Sequence, residues 1–217
     1  MRLKQFINEN GEFSPDNWVR LKDTLERDCK PFIKTLRGVD HLLWRGVKTP
    51  PQFFVKHNVR VNRKPRMIDT SLHNRLNIEL EKMYGWKARS EGLFTTKDEY
   101  IAKFWGEPSL VFPIGNFDYL WLIKPYIFDL YRGYDLWLPI DDNDDDKDRK
   151  TINDKNNDVW NKYIFPNIKH YHNKSLNKFL KADIKGSECI IRCKSYYSIN
   201  EQWFETLLEY FSNRYWK

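Results

Sequence analysis

Cysteine is scarce in this chain: Cys29, Cys189 and Cys193 are the only three in 217 residues, and no two stand at CxxC spacing. An odd, sparse set excludes a disulfide framework and a cysteine-ligated zinc site, and leaves the thiols as small apolar residues. The five histidines, His41, His57, His73, His170 and His172, include no HExxH pair, so no metal is expected. Glycine is thin as well, at nine residues, and neither a P-loop nor a Rossmann GxGxxG occurs. No serine or cysteine sits in a nucleophile elbow, which removes the common hydrolase triads. No run approaches the roughly 20 apolar residues needed to cross a bilayer. Met1-Arg2-Leu3-Lys4-Gln5-Phe6 lacks the apolar centre of a secretory leader. The expectation is a cytoplasmic protein with no membrane partner.

What is present is apolar, aromatic and basic. The chain is 41% hydrophobic and 16% aromatic, yet 31% charged with a mean hydropathy of −0.76, the balance of a folded domain with a water-facing surface. One domain over 1–217 accounts for that length. The net charge of +7 and the basic series "RVNRKPR", 60–66, favour polyanionic partners.

Ser14-Pro15-Asp16 reads as a helix start: serine caps free amides, proline fits the first turn and aspartate faces the positive end. Trp18, Leu21, Leu25 and Cys29 then make one apolar stripe until Pro31 kinks the chain, giving a helical N-terminal part over 14–37. "HLLWRGV", 41–47, has the length of a buried strand, and 48–66 reads as a long connection with one exposed strand. Asp69 and Thr70 cap a helix with Leu72, Leu76, Leu80 and Met83 on one side, which Gly85 ends. "GLF", 92–94, is a short strand, and Thr96 with Glu99 forms a capping box for a helix carrying Ile101, Phe104 and Trp105.

"SLVFPIG", 109–115, is a strand that Pro113 restricts to an edge or a bulge. The ring-dense 117–131 has no clear period, and the acidic 141–158 reads as a solvated, flexible insertion that lacks the mid-loop glycine and closing glutamate of an EF-hand. Trp160 to Leu180 reads as helical, "ECIIRCKSYYSI", 188–199, as strand, and Ser198 with Glu201 as the cap of a last helix burying Trp203, Phe204, Leu207, Leu208 and Phe211.

Three pieces stand out in order: the pair Arg45-Gly46 ending an apolar strand, the "GLFTT" turn at 92–96, and Glu188 opening "ECII". This arrangement resembles the arginine, serine/threonine, glutamate pattern of the ADP-ribosyltransferase fold, phage-encoded members included, and the motifs span about two thirds of the chain. The resemblance implies an α+β fold of two packed, mostly antiparallel sheets around an NAD cleft, with helices outside. It implies NAD as substrate and a macromolecular acceptor, protein or nucleic acid.

Carried across, Arg45 would contact phosphate or ribose oxygens of NAD, for which a guanidinium fork is suited. Thr95 or Thr96 would hold the catalytic Glu188, with Gly46 and Phe94 completing the cofactor-binding set. Thr96 already serves as a helix cap, which turns the choice towards Thr95. Glu188 would bind the nicotinamide-ribose hydroxyl and stabilise an oxocarbenium-like transition state. One departure stands: the family's glutamate or glutamine two residues before the catalytic glutamate is Gly186 here. An NAD glycohydrolase on the same fold, and a non-catalytic basic module gripping nucleic acid or protein, are the alternatives.

Overall fold

The computed structural model describes residues 15–39, 41–49, 51, 53–65, 68–123, 126–139, 141, 143–182 and 187–215. Ser14, Arg66 and Gly186 lie outside them. Helix α1 (Pro15–Asp28) breaks at Cys29, and α2 (Lys30–Ile33) runs into a 3-10 turn, Lys34–Leu36. Pro31 falls in the first turn of α2, where its missing N–H has no partner to lose. The expected stripe is core, with Leu21, Leu25, Cys29 and Phe32 fully buried.

Strands β1 (Trp44–Val47), β2 (Phe54–Asn58), β3 (Leu93–Thr95), β4 (Glu107–Pro113), β5 (Asp118–Leu122), β6 (Glu188–Arg192) and β7 (Ser195–Asn200) form two sheets. One has the order β1-β4-β7-β2, the other β3-β6-β5, and every pairing is antiparallel. Between the strands lie α3 (Thr70–Tyr84), α4 (Ala88–Glu91), α5 (Glu99–Lys103), α6 (Tyr126–Leu136), α7 (Asp146–Val159), α8 (Phe165–Ile168) and α9 (Leu176–Lys181), and α10 (Phe204–Tyr215) follows β7. The protein is therefore α+β with two antiparallel sheets.

Two cores flank the smaller sheet. Cys189 and Ile191 of β6 join α1, α2 and both sheets in one core, while Ile190 joins Leu120, Leu122, α3 and α6 in the other. Alternate residues of a strand face opposite ways, so burial on both faces explains the unbroken apolar run in "ECII". The sheets also touch through backbone: Trp44 and Thr96 exchange hydrogen bonds of 2.6 and 2.9 Å.

Several elements depart from expectation for local reasons. β4 lies inside its sheet rather than at an edge. Val111 donates to Leu43 across the β1 side, and residue 113 faces the same side beyond the end of β1, where proline forfeits nothing. The cap of α5 is Asp98, whose carboxylate accepts from the amides of Tyr100 and Ile101, not Thr96. Ser198 lies within β7, and Asn200 caps the turn before α10. The acidic segment supplies α7, capped by Asp145 and tied down by Asn156, whose amide bonds both backbone groups of Leu138 at 2.8 Å.

Gly46 marks a close approach. A Cβ there would stand 2.4 Å from the Ala102 carbonyl oxygen and 2.6 Å from the Trp105 carbonyl carbon, backbone that cannot swing aside. Gly46→Ala is expected to lower stability by about 1–3 kcal/mol through overpacking. Urea unfolding at unchanged m-value checks this, and an unchanged midpoint would show that β1 can move off α5.

Candidate functional site

Three distant segments meet where the sheets join. Arg45 on β1 donates through Nη1 to the Phe94 carbonyl at 2.8 Å. Thr95 pairs with Cys189, and its hydroxyl donates to the Cys189 carbonyl at 2.8 Å, one residue from Glu188. Pairing fixes faces: Thr95 shares one with Cys189, so Glu188 projects from the opposite face of β6. Thr96, one residue past the end of that ladder and bridged to Trp44, turns by alternation to the face opposite Thr95. The Thr96 hydroxyl oxygen accepts from the Asp98 amide at 3.1 Å. Gly46 lies against α5.

Glu188 is buried. Its carboxylate receives the Tyr171 hydroxyl and lies 3.4 Å from Nη1 of Arg89. Burial, helped by the neighbouring Glu188 charge, raises the Tyr171 phenol well above its ordinary range, so it acts as a donor here. A pair this enclosed is desolvated at considerable cost, and the hydrogen bonds are what compensate it. Arg89 also lies over the Phe94 ring, 4.5 Å from the centroid.

Arg89 is held by α3. Asn77 accepts the Arg89 and Ser90 amides at 3.0 and 3.2 Å and donates to the Ser90 hydroxyl at 2.8 Å. His73, one turn earlier on the same helix face, meets that hydroxyl at 3.0 Å. Both side chains are buried. Arg63, from the connection before α3, bonds the Ser90 carbonyl through its amide at 3.1 Å and the Gly92 carbonyl through Nη1 at 3.2 Å. Its guanidinium lies over Phe94 as well, at 4.7 Å.

A second polar group lines the larger sheet near Arg45. His57 meets the Ser198 hydroxyl at 2.7 Å and stacks on Tyr196. The Arg45 charge and a hydrogen bond act on the Tyr196 phenol, which burial nevertheless raises. Ser109, opposite Arg45 in the ladder, is buried without a hydrogen-bond partner for its hydroxyl.

Among the described residues no cluster of His, Cys, Asp and Glu is suited to a metal, and no helix is long and apolar enough to cross a membrane. Arg89, Tyr171, Asn77 and the His57–Ser198 contact carried no sequence signal. Arg63 sat in a visible basic series, where charge alone did not separate it from its neighbours. Comparison with family models, curated proteins and solved structures returns no match.

Both His57 and His73 have pKa values below the ordinary 6.5, mainly through burial, with the charge of Arg45 adding to the first and that of Arg89 to the second, against a backbone hydrogen bond from Arg63 that raises the second. The unfolded chain binds these protons more readily. Their contribution to stability is present in full above about 6.5 and is lost as the pH falls towards the depressed folded values. Urea midpoints should drop between about pH 8 and about pH 5, and a His57→Gln/His73→Gln variant should show a flatter profile. An identical slope in the variant would remove these two groups from the account.

Proposed function

We propose that the protein is an NAD-consuming ADP-ribosyltransferase with Glu188 as its catalytic carboxylate. One observation carries this reading: Arg45, the 94–96 turn and Glu188, far apart in sequence, are neighbours at the junction of the sheets through Arg45–Phe94, Trp44–Thr96 and Thr95–Cys189 contacts. The ADP-ribosyltransferase pattern requires that convergence, and three unrelated strand ends do not. In this reading the ladder favours Thr96 over Thr95 as the hydroxyl beside the carboxylate, because Thr96 falls on the Glu188 side.

The reaction balances without a redox partner. The bond from ribose C1′ to the nicotinamide nitrogen breaks, and nicotinamide leaves with the electron pair as a neutral molecule. The acceptor nucleophile bonds to C1′ and loses its proton to solvent or a nearby base. Glu188 binds the ribose hydroxyl and opposes the positive charge that develops on the sugar, while Tyr171 and Arg89 fix the carboxylate in place. Arg45 supplies a donor for anionic oxygens of the substrate.

Labelled NAD incubated with the protein and a cell extract should transfer label to macromolecules. Glu188→Gln should reduce transfer about 100-fold or more, since the amide keeps the shape and loses the charge. Because the exchange removes a charge partner of the half-buried Arg89, its cost to stability, up to ~3 kcal/mol, is checked by thermal unfolding. Nicotinamide release without labelled acceptor would convert the reading to a glycohydrolase. Inert wild-type protein across broad extracts, or a folded Glu188→Gln protein at full rate, would overturn it.

A further inference from the structure

The carbonyls of Gly92, Phe94 and Thr96 recur at every second residue along β3 and the residues on either side of it, and β3 is an edge strand of its sheet. They receive Nη1 of Arg63 at 3.2 Å, Nη1 of Arg45 at 2.8 Å and the amide of Trp44 at 2.6 Å. Two guanidiniums are thereby set along one strand edge. A third, Arg89, comes from α4, so that Arg63 and Arg89 both lie within 4.7 Å of the Phe94 ring centroid. The three arginines and Phe94 are half-buried, between core and solvent.

Edge capping alone does not call for this arrangement. Any donor satisfies a strand-edge carbonyl, and lysine or a backbone amide does so without crowding like charges round one ring. The scaffold behind it is also expensive. Asn77 and His73, both buried, spend their hydrogen bonds on fixing a four-residue helix, and that helix carries Arg89. The positive field reaches groups on both sides, since the charge of Arg45 disfavours protonation of His57 and that of Arg89 disfavours protonation of His73.

We propose that Arg45, Arg63 and Arg89, gathered about Phe94, form a binding site for the diphosphate of a nucleotide. A diphosphate presents several anionic oxygens over a few ångströms, which matches guanidinium forks converging from three segments. The carbonyl contacts of Arg45 and Arg63 fix the direction in which each planar guanidinium lies. Glu188, paired to Arg89, limits the charge at one end of the cluster. The site thus has a polarity, with anion held towards Arg45 and Arg63 and the carboxylate end kept for a group of neutral or positive character. This deepens the reading as an NAD-consuming enzyme by assigning the residues that grip the diphosphate, but it does not need that chemistry to occur.

Titration calorimetry with inorganic pyrophosphate, and separately with ADP, tests the site in the full chain. Both should bind, and Arg63→Gln should weaken each about tenfold or more, the value of a lost charge-assisted contact. Arg132→Gln, an exposed arginine over Tyr163 on α6, should leave binding unchanged. Arg89→Gln should weaken it too, and if that variant unfolds because Glu188 loses one of its two partners, Arg63→Gln decides the matter. Absence of pyrophosphate and ADP binding at millimolar concentration overturns the proposal. Equal losses in Arg63→Gln and Arg132→Gln overturn it as well, as does preference for a single-stranded oligonucleotide with a steep salt dependence, which would mark a nucleic-acid surface. ADP binding that depends on Arg63 in a protein that never consumes NAD sustains the site and sinks the transferase reading. NAD consumption indifferent to Arg63→Gln does the reverse.

Discussion

Two residues, Cys193 and Lys194, separate β6 from β7, and the rest of the structure follows from that shortness. β6 is the centre of the three-stranded sheet and β7 an interior strand of the four-stranded one. So brief a link leaves the chain no room to travel, and the two sheets must adjoin where it passes between them. The β4–β5 connection makes the same switch, helped by the Ile114 amide bonding to Ser195. The candidate residues sit at the other end of β6 from that link: Glu188 opens the strand, Thr95 pairs with Cys189, and Trp44 and Thr96 bridge the two sheets there.

Several polar groups are buried around Glu188, in β7 and on α3, and their partners explain why the fold tolerates them. Glu188 has Arg89 and Tyr171, Ser198 has His57, and Asn77 has the backbone of α4. The contacts tie β6 to α4 and to the segment before α9, β7 to β2, and α3 to α4. A conventional apolar core would be easier to desolvate, but it would not fix side-chain direction in the same way. Here the direction of one carboxylate and one guanidinium is set by groups whose only visible task is to hold them.

Much of the helical layer was legible in the sequence. α3 carries its cap at Asp69, its apolar side at Leu72, Leu76 and Leu80, and its stop at Gly85, all of them local signals. The strands were legible as apolar runs, but their order was not, because pairing β4 with β7 across more than 80 residues leaves no local trace. Both misplaced caps, Thr96 and Ser198, share a cause: a hydroxyl residue three positions before a glutamate fits the capping pattern, and tertiary structure used each elsewhere, Thr96 in the bridge to Trp44 and Ser198 in β7 against His57. The order of Arg45, 94–96 and Glu188 was readable because it is linear. Arg89 and Tyr171 were not, since an arginine in "ARSE" and a tyrosine among lysines and asparagines look like surface until the fold encloses them.

A helix of four residues has almost no stability of its own, and α4 would count as loop if its surroundings were ignored. Asn77 changes its standing by accepting the amides of residues 89 and 90 from within the buried face of α3. Those two amides cannot meet solvent unless that contact with α3 is broken. In exchange terms, a four-residue helix runs on the clock of a long one, and Arg89 keeps its place with a core residue's persistence rather than a loop's.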